Sequence, residues 1–217
     1  MEMIPYSSNN GARNMAIDAE ILDSAIEQQV KTPIFRLYGW SPACVSLGRN
    51  QKDDFIDYDI LKRHNIDVVR RLTGGRALLH DNEITYSFVC PVSYLENGEH
   101  VLSSYKEISQ ILIDKFKKIG MELDFGTSKA IKTKFDYCML LSTGADLCYQ
   151  NKKLIGSAQC RKNGYILQHG SILYDYDRQL LEDIFKEEID TNSITTIKEI
   201  NNNLTKEDII EILSSVV

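Results

Sequence analysis

Arg70-Arg71-Leu72-Thr73-Gly74-Gly75-Arg76-Ala77-Leu78-Leu79-His80-Asp81 is the stretch on which the fold turns. An extended run over 67–72 enters a Gly-Gly turn, and an apolar run over 77–80 leaves it. Two adjacent glycines between strands let a backbone approach a ligand closely. Arg70, Arg71 and Arg76 around them suit anionic or carbonyl oxygens, and His80-Asp81 adds a polar pair at the far end. No Gly-Lys-Ser/Thr follows, so this is not a Walker loop, and no Gly-x-Gly-x-x-Gly opens a helix. Taken alone, an ordinary Gly-Gly turn with solvated arginines is the commoner explanation.

Downstream lie three further segments of chemical interest. In Lys153-Leu154-Ile155-Gly156-Ser157-Ala158-Gln159, a lysine starts an apolar strand. Pointing inward it would need a partner or a lowered pKa; local pattern favours a surface lysine like Lys152. Leu167-Gln168-His169-Gly170-Ser171-Ile172-Leu173 places His-Gly-Ser inside an apolar run. It reads as close backbone approach with a buried imidazole, the plainer version being a core histidine with satisfied hydrogen bonds. Cys138 follows Lys129, Lys132 and Lys134, and nearby positive charge favours a thiolate. The alternative is an incidental loop thiol.

Around these segments the pattern predicts an α+β fold. Helices are expected from Asn14, as N-cap, to about 29, then over 55–64, 101–120, Arg178–Phe185, 195–200 and 206–217. Strands are expected over 33–38, 43–47, 67–72, 77–80, 83–89, 145–149, 153–160 and Tyr165–Leu173. Strands that cluster in hairpins, with helices between, exclude a regular βαβ array.

Composition narrows the function classes. The 217 residues are 43% hydrophobic and 26% charged, as in an ordinary globular domain. A net charge of −6 argues against a general nucleic-acid binder. No apolar run approaches the ~20 residues of a membrane span, and no leader is recognised at Met1–Pro5. The five cysteines are widely spaced without Cys-x-x-Cys, so neither a disulfide framework nor a metal site is expected, and a reduced cytoplasmic setting is.

Five pieces in fixed order then carry a resemblance: Asn14-Met15-Ala16-Ile17-Asp18; Phe35-Arg36-Leu37-Tyr38-Gly39-Trp40 with Val45-Ser46-Leu47-Gly48; the Arg70–Asp81 stretch; Lys153-x-x-Gly156-Ser157-Ala158-Gln159; and His169-Gly170-Ser171-Ile172-Leu173. Together they resemble the biotin/lipoate protein ligase catalytic domain, most nearly its octanoyltransferases of the LipM type. The resemblance implies mixed, largely antiparallel sheets with flanking helices in the biotinyl/lipoyl-transferase, class II synthetase-like fold. It implies a single catalytic domain over 1–217, with 178–217 a C-terminal helical extension. Octanoyl transfer is implied from acyl carrier protein to a lysine of a lipoyl domain, such as glycine cleavage protein H, without a cofactor.

In that type a cysteine upstream of the Lys-x-x-Gly-Ser-Ala strand carries the acyl group. Cys138 stands 15 positions before Lys153, where such a nucleophile is expected. By the same resemblance Lys153 is its partner, either as ammonium beside the thiolate or as a neutral base. Arg70, Arg71, Thr73, Gly74, Gly75, Arg76, His80, Gly156, Ser157, Ala158, His169 and Gly170 are the expected substrate-binding set. Backbone N–H groups near Gly74-Gly75 and Gly156-Ser157 are candidates for an oxyanion hole, and 77–79 and 154–155 for an acyl channel. Lys129, Lys132, Lys134, Lys152, Lys153, Arg161 and Lys162 form the expected docking patch for acidic protein substrates. A monomer is expected, with neither nucleic acid nor membrane as partner. Two alternatives remain: an ATP- and Mg²⁺-dependent lipoate or octanoate ligase with Cys138 idle, and a non-catalytic acyl or lipoyl-domain binding protein.

Overall fold

The computed structural model describes residues 1–127, 136–140 and 142–215. In chain order the elements are β1 (Glu2–Asn9), α1 (Gly11–Glu27), β2 (Ile34–Trp40), β3 (Cys44–Leu47), α2 (Tyr58–Arg63), β4 (Asp67–Arg70), β5 (Leu78–His80) and β6 (Glu83–Pro91). There follow α3 (Val101–Lys117), β7 (Asp124–Phe125), β8 (Leu147–Tyr149), β9 (Lys152–Lys162), β10 (Tyr165–Leu173), α4 (Arg178–Phe185), α5 (Ile197–Ile200) and α6 (Lys206–Ser214). Cys138–Leu140 forms a 3-10 turn. A seven-stranded sheet runs β1-β2-β6-β10-β9-β8-β7, and a three-stranded sheet runs β4-β3-β5. Among the described residues β1–β2 and β3–β4 pair in parallel and the other ladders are antiparallel. The fold is α+β with largely antiparallel sheets, as the pattern predicts.

Side-chain alternation explains how this sheet carries a site. Phe35 and Leu37 of β2, Ile84, Tyr86 and Phe88 of β6, and Ile166 and Ile172 of β10 join one apolar cluster. That cluster also takes Ile108, Leu112 and Phe116 from α3 and Ile209 and Leu213 from α6. The intervening residues face the other way and are largely polar yet buried: Arg36, Thr85, Ser87, His169 and Ser171. Helix α1 covers part of that second face, packing Leu22 and Ala25 on Val89 and Leu167. A second apolar cluster joins β3 and β5 to α4 and holds Tyr137, Met139 and Leu140. Both flanks of Cys138 are therefore anchored in a core while Cys138 itself is half-buried.

Some expected elements differ. The N-cap of α1 is Asn10, whose side chain accepts from the Arg13 N–H at 2.9 Å. Asn14 lies one turn inside, buried, donating to the Gly39 carbonyl at 2.9 Å and accepting from Arg36 at 2.7 Å. Strand β1 was not expected, because its polar, half-exposed residues and Pro5 hide the alternation. It is an edge strand with a register shift between Ile4 and Ser7, where proline is tolerated. The capping box of α6, Thr205 with Asp208, forms as the sequence predicts. No helix among the described residues is long and apolar enough to cross a membrane.

Candidate active site

The polar sheet face and the small sheet line a narrow cavity that is partly open to solvent. Gly156 and Ala158 of β9, His169, Gly170 and Ser171 of β10, and Thr85 of β6 form one wall. Ser46 of β3, Leu78 and His80 of β5, and Arg71, Gly75 and Arg76 form the other, with Met15, Tyr38 and Trp40 closing it and Cys138 at its edge. Ladder register sets the floor: Gly156 stands opposite Ser171, which stands opposite Thr85.

Cys138 is held by its backbone. Its N–H donates to the Ala77 carbonyl at 2.8 Å, and the Ala77 N–H donates to the Asp136 carbonyl at 3.1 Å. The Glu187 carboxylate accepts from the N–H groups of Asp136 at 2.6 Å and Tyr137 at 3.2 Å. Tyr137 also stacks on Phe185 of α4 at 4.8 Å. Thus the exit of the Gly-Gly turn and the segment after α4 together place the thiol. Burial pushes the Cys44 and Cys90 thiols up to about 12 and raises Cys148 and Cys160 as well. Those four are poor nucleophiles at neutral pH.

Lys153 is 1% exposed, against the surface position that local pattern favours. Its Nζ lies 3.9 Å from Cys138 Sγ, 3.1 Å from the Cys138 carbonyl oxygen and 3.1 Å from Asp146 Oδ2. Burial alone would lower its pKa, but the Cys138 and Asp146 charges outweigh burial and raise it above 10.5. That direction favours the ammonium over the neutral base, the two forms between which the sequence leaves the choice open. Glycine at 156 makes room for it. A Cβ there would come within 3.0 Å of both Lys153 Cε and Met139 Sδ. Asp146, a buried carboxylate from the loop before β8, was missed by sequence reasoning. The signal was the lysine itself, since a buried ammonium requires a partner.

The arginines of the Gly-Gly stretch act differently from expectation. Arg71 is buried and donates to the Ser46 carbonyl at 2.8 Å, the Gly74 carbonyl at 3.0 Å and the Arg76 carbonyl at 2.7 Å. It clamps the turn, with Gly75 at φ +91. Arg70 does not line the cavity; it donates to the Gly48 carbonyl at 2.8 Å and the Gln51 carbonyl at 2.6 Å. All three nitrogens of the Arg71 guanidinium are thus engaged by the protein's own oxygens, while Arg70 is exposed and directs its Nη1 to a loop outside the cavity. Arg76 does line the cavity, and its Nη1, like Ser171 Oγ, is buried without a hydrogen-bond partner among the described residues, while His80 Nδ1 faces Glu83 Oε1 at 3.4 Å. Thr73 and Gly74 do not line the cavity: Thr73 is buried and shares a 2.7 Å hydrogen bond with His169 Nε2, and Gly74 is exposed.

His169 belongs to a buried chain. Its Nδ1 lies 3.1 Å from Asp18 Oδ2, and Asp18 also accepts from Arg36 at 2.8 Å, Tyr38 at 2.9 Å and Ser87 at 3.0 Å. Burial pushes the Asp18 pKa up, yet His169, Arg36 and Tyr38 together hold it below 3.8. Sequence reasoning did not assign Asn14 and Asp18 to the site; their spacing of one helical turn, in line with Leu22 and Ala25 on the buried stripe of α1, is the signal that could have found them. His80 stacks on Trp40 at 4.0 Å and shares a 2.8 Å hydrogen bond with Ser46. Burial lowers its pKa below 6.5 although Glu83 opposes, so the imidazole is neutral at pH 7.

Three further expectations change. Ser157 N–H is directed at Asp146 Oδ1, 3.4 Å away, rather than at a substrate oxygen. Leu154 and Ile155 belong to the α3-side core, and of residues 77–79 only Leu78 lines the cavity. In the docking patch, Lys162 pairs with Asp23 at 2.6 Å, and Arg161 donates to the Gly98 carbonyl at 2.7 Å and to Ser104 Oγ. Lys129, Lys132 and Lys134 lie outside the described residues.

Comparison with known proteins follows the same lines. The family profile of the lipoyl protein ligase A/B catalytic domain matches residues 10–217. The octanoyltransferase LipM of Clostridioides difficile is 40% identical over 188 residues, covering 85% of this chain and 68% of that protein. LipM of Geobacillus kaustophilus is 39% identical over 183 residues, covering 81% of this chain and 66% of that one. The chain thus spans about two thirds of the length of the curated relatives it matches. A crystal structure of lipoate-protein ligase A bound with ATP superposes at TM-score 0.75 and 19% identity, over 98% of this chain and 81% of that one. The bi-partite lipoate protein ligase of Thermoplasma acidophilum gives TM-score 0.70 at 18% identity, over the same shares of both chains. At those identities the likeness is one of fold.

Proposed function

The chain belongs to the lipoyl protein ligase A/B catalytic-domain family, and from that premise we propose that it is an octanoyltransferase working through an acyl-enzyme on Cys138. The observation that carries this reading is the Lys153 ammonium, 3.9 Å from the Cys138 sulfur at the edge of the cavity. A nucleophile beside a fixed, buried partner is the arrangement that covalent acyl transfer requires. The similarity to LipM octanoyltransferases supports the acyl group.

The proposed donor is an octanoyl thioester on acyl carrier protein. The proposed acceptor is a lysine of a lipoyl domain, such as that of glycine cleavage protein H. In the first step the Cys138 thiolate attacks the thioester carbonyl. The carbon–sulfur bond to the donor breaks, and the departing thiolate takes a proton from Lys153. Octanoyl is then a thioester on Cys138 and Lys153 is a neutral amine. In the second step the acceptor amine attacks that thioester, the Cys138 sulfur leaves as thiolate, and Lys153 takes the proton lost by nitrogen. The thiolate and ammonium are regenerated with no net proton exchange. Electrostatics favour this timing. Acylation removes the Cys138 charge, so burial weighs more heavily against the ammonium when a base is needed.

A thioester is already activated, so this route needs no nucleotide. Incubating the protein with octanoyl-acyl carrier protein and an apo lipoyl domain, without ATP, is expected to give an octanoylated domain. If modification occurs only with free octanoate, ATP and Mg²⁺, the chain is a ligase. If the protein binds the acyl donor or the domain without turnover in either mixture, it is a binding protein.

A further inference from the structure

We propose that Asp146 is a positioning residue for this transfer, fixing the Lys153 amine over Cys138 in both the thiolate and the acyl-enzyme stages. The inference rests on the acyl-enzyme reading above. Its ground is the way the carboxylate is itself held. Asp146 is 3% exposed. Its Oδ2 accepts from the Thr143 N–H at 2.7 Å and the Thr143 hydroxyl at 2.9 Å, and Ser157 N–H approaches Oδ1 at 3.4 Å. Donors on two sides orient the carboxylate, and Oδ2 meets Lys153 Nζ at 3.1 Å.

A residue that served only to neutralise a buried lysine would not need this orientation. Lys153 has to remain over the sulfur after octanoylation, when the thiolate that attracts it has become a neutral thioester. An Asp146 carboxylate oxygen can accept a hydrogen bond from the amine in either protonation state of Lys153. Without it Lys153 keeps its 3.1 Å hydrogen bond to the Cys138 carbonyl but loses the carboxylate that fixes its direction toward the sulfur, and the proton of the incoming amine meets a less well placed acceptor. Among the described residues the titratable groups that act most on Lys153 are Cys138 from the 3-10 turn, Asp146 from the loop before β8, and Cys148 from β8. Tyr86 of β6 and Tyr105 of α3 feel the Asp146 charge, and burial keeps both phenols protonated.

The test uses the full chain as wild type, Asp146→Asn and Asp146→Glu. Three readouts are taken: iodoacetamide alkylation of Cys138, which needs no acyl donor; octanoyl-enzyme yield; and complete transfer across pH. For Asp146→Asn, kcat is expected to fall about tenfold or more with donor KM within about threefold. The alkaline limb of the transfer profile is expected to move down by about one pH unit, because Lys153 loses the charge that favours its proton. Asp146→Glu is expected to recover part of the rate. A folded Asp146→Asn enzyme with unchanged kcat and limb overturns the proposal. So does a slow one whose limb stays in place and which Asp146→Glu does not rescue. Should Asp146→Asn fail to fold, Thr143→Val removes one orienting donor; a smaller downward shift supports the proposal and an unmoved limb overturns it. If wild type forms no octanoyl-enzyme, the acyl-enzyme reading fails instead, and the inference falls with it.

Discussion

Replacing Lys153 by Met tests the nucleophile's environment without any substrate. Methionine keeps an unbranched side chain of similar length and removes the charge. Two unit charges at 3.9 Å attract by about 4 kcal/mol at an effective dielectric near 20. An interaction of that size corresponds to about three powers of ten in an equilibrium constant. Asp146, on the far side of the ammonium at 3.1 Å, cancels part of it. We therefore expect iodoacetamide alkylation of Cys138 at pH 7 to slow by at least about tenfold, and by no more than about a thousandfold. The substitution also leaves the Asp146 carboxylate buried without its cation, so stability should fall by about 3–5 kcal/mol. The assay is intact-protein mass against time at several pH values, with circular dichroism to establish folding. A folded Lys153→Met protein alkylated within about threefold of wild type would refute the argument, because the ammonium would then contribute nothing to the thiolate.

Other substitutions probe the supports. Asp18→Ala leaves Arg36 buried without its carboxylate and should lower unfolding stability by about 3–5 kcal/mol in urea titration. Because the folded pKa of Asp18 is depressed below 3.8, its contribution is complete above that pH. It is lost as pH falls through the folded value, so the gap between wild type and Asp18→Ala should close in acid. Gly156→Ala places a methyl 3.0 Å from Lys153 Cε and Met139 Sδ; octanoyl transfer should drop about tenfold or more, while the melting temperature moves by only a few degrees. Glu187→Ala frees the N–H groups of Asp136 and Tyr137, and octanoyl-enzyme formation should slow about three- to tenfold with little change in donor KM.

How much was legible depends on whether a residue's partner lies nearby in sequence. Helix α3, strand β10 and the capped α6 carry their signals within one element, so periodicity and capping locate them. The Gly-Gly stretch, with the Lys153 and His169 segments, shows from sequence which strands meet at the site. What guanidinium groups grip is a tertiary matter: Arg70 reaches back to the loop at Gly48–Gln51, and Arg71 closes on its own turn. Lys153 looks like a surface residue because its carboxylate arrives from the preceding hairpin strand's approach loop, outside any local window. Glu187 is less visible still. It lies 51 positions from Asp136, on a segment with no motif, and acts through backbone N–H groups that no side-chain pattern records.

The most direct measurement is the intact mass of the protein after mixing with octanoyl-acyl carrier protein in the absence of ATP, beside Cys138→Ala. The account predicts the gain of one octanoyl group, labile to hydroxylamine, absent from Cys138→Ala and discharged by an apo lipoyl domain. An unmodified wild-type protein, or a Cys138→Ala protein that still transfers octanoyl at the wild-type rate, would contradict it.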